Sequence, residues 1–348
     1  MPNVLDNQKA ISRRDPKNML GAIEGFPEFM SSQLQAFPPT RRSSSRSVFH
    51  NIVFMGMGGS ASAGDLVLDW IGNKIPVPAI VHRDPSLPKF VGPNTLLVAL
   101  SYSGETAETL AAFREARKRG ASLVAIGTGG KLQELCEELE VSFVGVQPAP
   151  APRAALGQMV VATAIALDRR AVIQDPKNEI KLAIQELGRL RNRLQRQVPL
   201  SQNPAKRLAE LLKGHVPVIF AFRRMASVAR RFKNQLAENS KVFAKYSLLP
   251  EAGHNEVEAW SNQRLRLSPI FIRDNSESEF ERVMLESFRS TITKASGVAS
   301  TQVRLKASTR LGGLLAPVLY LDFVSVYLAL LKRVDPADTP WIRLYRKN

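Results

Sequence analysis

The sequence predicts an α/β protein with two doubly wound parallel-sheet subdomains joined by helices, and three observations carry that prediction. Between residues 47 and 147, short apolar runs alternate with stretches of helical periodicity, the pattern of a parallel sheet covered on both faces. A second series of the same kind opens at Val216. With 348 residues, the chain is long enough for two separate cores.

Taken in order, residues 1–45 read as a helical leader, where Met19, Leu20, Ile23 and Phe26 suggest a short helix lying on the body of the protein. Strands are expected at 51–55, 78–82, 95–100, 122–126 and 142–146, with helices at 62–71, 105–119 and 131–139 between them. The proline-rich stretch Gln147 to Pro152 ends this series, and an alanine-rich helix follows through Leu167. A basic amphipathic helix over 177–197 connects the halves. In the second half, strand 216–222 leads into a helix from Ala226 to Phe243, then strands at 245–248 and 269–273, a helix at 277–294, a strand at 301–305 and an apolar helix at 312–331. The expected divisions are a leader (1–45), a first subdomain (46–170), a helical connector (171–205), a second subdomain (206–333) and a C-terminal tail (334–348).

Composition narrows the function classes. A single cysteine, Cys136, excludes an intrachain disulfide framework and fits a reducing compartment. The N-terminus is polar and shows no secretory pattern. Leu311 to Leu331 is apolar enough for a membrane, but Pro317, Asp322, Ser325 and two tyrosines interrupt it, so it reads as a helix buried in protein. The net charge of +17 suits nucleic acid or a phosphorylated substrate equally. Neither the basic stretch 41–46 nor Arg189 to Arg196 is accompanied by a zinc-ligand pattern or an aromatic RNA-binding motif.

Two stretches carry chemistry in the first half. Phe54-Met55-Gly56-Met57-Gly58-Gly59-Ser60 runs from a strand through a glycine turn into a helix, where free N–H groups and the positive end of the helix dipole favour an anion. A second strand ends in Ser101-Tyr102-Ser103-Gly104-Glu105-Thr106, which sets three hydroxyls at another helix start. Either turn alone is also compatible with an ordinary capped helix. Two such ends in one parallel sheet open on one crevice, where open α/β sheets bind ligands. In the rest of the chain, Glu238 near the end of an amphipathic helix, His254 in a Gly-His-Asn-Glu loop and Arg153 after the proline-rich break are the candidates for chemistry on a phosphorylated ligand.

These motifs, with Pro152-Arg153-Ala154-Ala155-Leu156-Gly157, Lys233-Asn234-Gln235-Leu236, Glu238-Asn239, His254-Asn255-Glu256 and Asp322-Phe323-Val324-Ser325-Val326-Tyr327-Leu328-Ala329, resemble the bifunctional phosphoglucose/phosphomannose isomerases. That family is built of two sugar-isomerase (SIS) domains, and the resemblance spans nearly the whole chain. It implies SIS-type, flavodoxin-like subdomains and interconversion of glucose 6-phosphate and mannose 6-phosphate with fructose 6-phosphate through a cis-enediol. By the same resemblance, Glu238 moves the proton between C2 and C1, His254 helps open the sugar ring, and Arg153 stabilises the enediolate. Ser101, Ser103 and Thr106 hold the phosphate, and Gly59 and Ser60 line the sugar pocket. Thr339 shapes the room for either C2 epimer, and Lys347, or Arg346 in its place, closes the site from the tail. The resemblance further implies no metal or other cofactor, a homodimer whose histidine serves the neighbouring subunit, a cytoplasmic location, and neither a specific nucleic-acid nor a membrane partner.

The chain departs from the family at Phe222-Arg223-Arg224, where relatives usually carry a small or glycine-containing turn, and at Gly253, where asparagine is common. Other readings are a sugar-phosphate-binding regulatory protein without catalysis, an amino-sugar isomerase or deaminase on the same fold, and a basic nucleic-acid-binding protein. The first predicts an attached DNA-binding domain and no need for Glu238 or His254. The last predicts affinity that falls steeply with salt and ignores sugar phosphates.

Overall fold

A computed structural model describes residues 3–37, 49–149, 151–262 and 264–345. The basic stretch 41–46, Arg346 and Lys347 lie outside the described residues. The chain forms two compact units, Gly25–Ile184 and the combination of Met1–Glu24 with Gln185–Asn348.

In the unit Gly25–Ile184, strands β1 (Asn51–Gly56), β2 (Ala79–His82), β3 (Thr95–Leu100), β4 (Ser122–Gly127) and β5 (Ser142–Gly145) form one parallel sheet in the order β2-β1-β3-β4-β5. β3 is buried along its whole length because helices cover both faces. On one face Val53, Met55, Leu97 and Ala99 pack with Leu110, Phe113, Leu132 and Cys136 from the helices Ala107–Lys118 and Gly130–Glu138. On the other, the helix Gly58–Ile71 packs against Leu156–Arg169, and Gly64 comes so close to Phe54 and Leu100 that a Cβ there would sit about 3 Å from both. The sheet order is the flavodoxin-like one, whose direction of winding reverses between β1 and β3. Register pairs Gly56 with Leu100, so the residues after both strands leave the sheet side by side.

The other unit repeats the plan with four strands. β6 (Val216–Phe222), β7 (Lys245–Leu249), β8 (Leu267–Arg273) and β9 (Thr301–Arg304) are parallel in the order β7-β6-β8-β9, with the reversal between β6 and β8. Phe220, Phe271, Phe288 and Trp260 form an aromatic cluster on one face. The apolar helix Arg310–Lys332 is the one described helix long and apolar enough to cross a membrane, and 94% of its apolar window is buried inside the protein. It packs against the helices Pro204–Leu212, Ala226–Gln235 and Met19–Glu24.

Several element ends fall elsewhere than sequence alone predicts. The first glycine helix starts at Gly58, because the amides of Ser60 and Ala61 already turn back to the Met57 carbonyl. The helix expected at 105 starts at Ala107, since Glu105 and Thr106 are engaged by Lys131 and Ser101 instead. The connector helix stops at Asn192, where Arg193 and Leu194 tighten onto carbonyls three residues back. Pro204–Leu212 was not expected as a separate helix, although Asn203 supplies its N-cap and Pro204 its first position. The α-helix that begins at Ala226 ends at Gln235 and continues as a π turn, Leu236–Ser240, closed by Lys241 at φ 53°. Glu238 lies in that turn.

Candidate active site

The first part of the site is built where β1 and β3 diverge. Gly58 takes φ 51°, and Gly59 brings its Cα against the backbone of Arg153 and Pro152, so a Cβ there would lie 3.6 Å from the Arg153 Cα. The Tyr102 amide donates to the Ser60 hydroxyl at 3.0 Å, which joins the glycine turn to the serine loop. Within that loop Ser101 and Thr106 share a hydrogen bond of 3.0 Å, and the Glu105 amide donates to Ser103 at 3.2 Å. Neither the helix at Gly58 nor the one at Ala107 has a side-chain cap, so Thr106 is turned inward and does not serve as an ordinary N-cap.

A third loop braces the second. Gly104 has φ 70°, and a Cβ on it would lie 1.8 Å from the Gly129 carbonyl. Lys131 donates its amide to Glu105 at 3.0 Å and pairs its ammonium with the same carboxylate, which holds the Glu105 carboxyl below its usual pKa. The Tyr102 hydroxyl both accepts from the Ala149 amide and donates to the Ala149 carbonyl, pinning the segment that leads to Arg153. Arg153 is itself buried, on a short 3-10 turn, Pro152–Ala155. Gly59, Ser60, Ser101, Ser103, Thr106 and Arg153 therefore lie on neighbouring segments at the topological switch point, where open α/β sheets bind ligands. Tyr102, absent from the sequence-based candidates, is the residue that ties three of these segments together. Its neighbours in sequence gave no signal, because its partners Ser60, Thr128 and Ala149 are remote in the chain.

In the other unit, Glu238 is half-buried on the π turn. Lys241 donates to the Glu238 carbonyl at 2.8 Å and to the Asp335 carbonyl at 2.7 Å, which fastens the π turn to the segment leading to Thr339. Thr339 is half-buried immediately before the helix Pro340–Tyr345. His254 is exposed on a 3-10 turn, Glu251–His254, after β7. It lines a groove of about 480 Å³ with Leu249, Val257, Phe280, Val283 and Phe288. Among the described residues no group of three or more His, Cys, Asp or Glu could hold a metal ion.

Residues 48–155 match the SIS domain, and residues 201–348 match the bacterial phospho-glucose isomerase C-terminal SIS domain. The chain is 32% identical to the bifunctional phosphoglucose/phosphomannose isomerase of Caldicellulosiruptor bescii, over 85% of this chain and 88% of that protein. The protein of the same name from Aquifex aeolicus is 32% identical over 86% of this chain and 90% of its own length. The chain belongs to the bifunctional phosphoglucose/phosphomannose isomerase family. Relatives include a D-glucosamine-6-phosphate 4-epimerase from Sulfolobus acidocaldarius, 31% identical over 61% of this chain and 65% of that protein. The fold is shared with a hypothetical protein from Thermus thermophilus, at TM-score 0.73 and 17% identity over 98% of this chain and 92% of that one. It is also shared with the C-terminal domain of a glucosamine-fructose-6-phosphate aminotransferase from Francisella tularensis, at TM-score 0.70 and 19% identity over 92% and 98% of the two chains.

Within this family fold, the structure explains why the two switch points are unequal. Where β6 and β8 diverge, arginines pair with the protein's own carboxylates. Arg224 pairs with Glu281 at 2.7 Å and approaches Asp274, and Arg310 also pairs with Asp274. Arg310 donates in addition to the Arg224 carbonyl, so the Arg223-Arg224 turn is held shut. Burial opposes the Asp274 charge, but hydrogen bonds from Ser276 and the Arg310 and Arg224 guanidinium groups outweigh it and hold the carboxyl below its usual pKa. The double arginine was visible in the sequence, whereas its acidic partners lie about 50 residues or more downstream and carried no local signal, because such pairing is set by tertiary contact.

Proposed function

We propose that this chain interconverts glucose 6-phosphate and mannose 6-phosphate with fructose 6-phosphate through a cis-enediol. The observation that carries the reading is the doubled loop at the β1/β3 switch point, Ser60 bonded to Tyr102 beside Ser101, Ser103 and Thr106, in a chain of this isomerase family. Hydroxyls and uncapped helix N-termini at one crevice are what a phosphate monoester needs. Gly59 and Ser60 line the sugar pocket, and Arg153 supplies fixed positive charge to the developing enediolate. Glu238 acts as the base that carries the proton between C2 and C1, and His254 assists ring opening. Thr339 shapes the space around C2, and Lys347 completes the site from the tail. The reaction asks for no metal or other cofactor.

We also infer a homodimer with composite sites, in which His254 serves the partner's sugar. The exposure of His254 beside Phe280 and Val283, which are 68% and 54% exposed, supports that reading. The working location is the cytoplasm, the partners are sugar 6-phosphates, and the +17 charge draws anionic substrate without a specific nucleic-acid or membrane partner.

The test is a coupled assay with glucose 6-phosphate and mannose 6-phosphate in parallel, with glucosamine 6-phosphate as the contrasting substrate. Formation of fructose 6-phosphate from both aldoses is the expected result. Turnover confined to the amino sugar, or binding without turnover, overturns it.

A further inference from the structure

Asp322 to Ala329 is a motif of the buried helix Arg310–Lys332 to which the reaction assigns no step, yet it holds both the turn that carries Glu238 and the helix leading into it. Upstream, Arg231 donates to both oxygens of Asp322, and both side chains are at most 4% exposed. Downstream, the two residues that follow Glu238 converge on one partner. The Asn239 side-chain Nδ2 donates to the Ser325 hydroxyl at 2.9 Å, and the Ser240 hydroxyl donates to the Ser325 carbonyl at 2.6 Å. The Ser325 hydroxyl donates its own hydrogen bond to the Asp322 carbonyl at 2.7 Å, so its acceptor side is oriented toward Asn239. Asn239, Ser240 and Ser325 are fully buried, where an unmet polar group is costly, and a fully met network fixes one arrangement.

The backbone needs such a clamp. A π turn is a local widening of the helix, with bonds to the fifth residue instead of the fourth, and it changes which residues share a face. Here Lys241 leaves in the left-handed conformation, with its amide on the Leu236 carbonyl. If the segment reverted to regular α-helix, the residues after Leu236 would shift register on the helix surface, and Glu238 would point elsewhere. The contacts from Ser325 to Asn239 and Ser240 are compatible with the π register.

We propose that Ser325 is a positioning residue for Glu238, holding the π turn 236–240 in the register that presents the carboxylate to the sugar. The inference rests on Glu238 being the base. Ser325 touches no substrate; it acts by holding Asn239 and Ser240. A carboxylate displaced by an ångström still leaves phosphate and sugar bound, so the cost falls on proton transfer.

The experiment compares Ser325→Ala, Asn239→Ala, the double variant and Glu238→Gln with the full-length protein, on glucose 6-phosphate and on its C2-deuterated form. For the two single variants kcat falls on the order of 10-fold or more while KM stays within about 3-fold, as expected for a loss confined to the transition state. The deuterium effect on kcat rises, because proton transfer becomes slower relative to the other steps. The double variant is no slower than the worse single one, as for two ends of one interaction. A lowered melting temperature with unchanged kcat and unchanged isotope effect in the soluble variants would show a merely structural contact and overturn the proposal. Asn239→Ala decides the matter alone if Ser325→Ala does not fold. Full turnover by Glu238→Gln removes the base assignment itself and the inference with it, whereas an inactive Glu238→Gln beside normal single variants removes only the inference.

Discussion

At the scale of single residues, Glu238→Gln keeps the shape of the side chain and removes its basicity, so turnover is expected to drop by about 10²–10⁴-fold with sugar-phosphate affinity nearly intact. Steady-state kinetics and inhibitor binding check both halves of that statement. His254→Ala is expected to slow turnover of cyclic glucose 6-phosphate more than that of an open-chain substrate; equal losses on both would remove the ring-opening role. Gly104→Ala must hold an L residue at φ 70°, a cost of roughly 1–2 kcal/mol, and must also push the Gly129 carbonyl away from its Cβ. Its expected signature is a raised KM for sugar phosphates and a lowered melting temperature. The residue types at 101–106 were legible as a candidate anion cradle because hydroxyls, glycine and a helix start stand next to one another in sequence. Tyr102 as a brace was not legible, since its bonds join Ser60, Thr128 and Ala149, which are remote in sequence.

At the scale of elements, alternation of apolar runs and helices gave every strand of both sheets close to its observed position. The period of a buried strand is local, whereas its end depends on what meets it. The π turn shows the limit. From Ala226 to Phe243 the side chains suit a continuous helix, and what interrupts it is the Ser325 hydroxyl and carbonyl on another helix. The closed switch point at β6/β8 belongs to the same scale and has a pH signature. The folded-state pKa of Asp274 lies below its unfolded value, so its contribution is complete above the unfolded pKa and is lost as pH falls through the folded one. Asp274→Asn is expected to flatten the acid limb of stability, and Asp274→Ala to cost about 1–3 kcal/mol by removing the carboxylate that Arg310 pairs with, while Arg224 keeps Glu281. Chemical denaturation across the acid range measures both.

At the scale of the whole molecule, a buried cation helps to fasten the N-terminal segment. Lys206 is fully buried, donates to the Leu5 and Arg196 carbonyls and to Asp6, and stands 5.6 Å from the Tyr327 ring centroid. Burial lowers its pKa, and the Asp6 carboxylate opposes that shift. Lys206→Ala is expected to release residues 3–14, read as faster amide exchange there, without altering the serine loop. The composite-site reading makes a further demand on assembly: activity per chain should fall on dilution below the dimer dissociation constant. A fully active monomer would sink it.

The sequence by itself determined the fold class, the strand positions and the identity of the family, because apolar periodicity and contiguous motifs are local properties of the chain. Tertiary structure alone decided that the arginines at the β6/β8 switch point are paired with Asp274 and Glu281. It also decided that the turn bearing Glu238 is a π turn locked by Ser325. Both outcomes depend on hydrogen bonds and ion pairs between residues tens of positions apart, and no spacing rule connects such residues until the chain has folded.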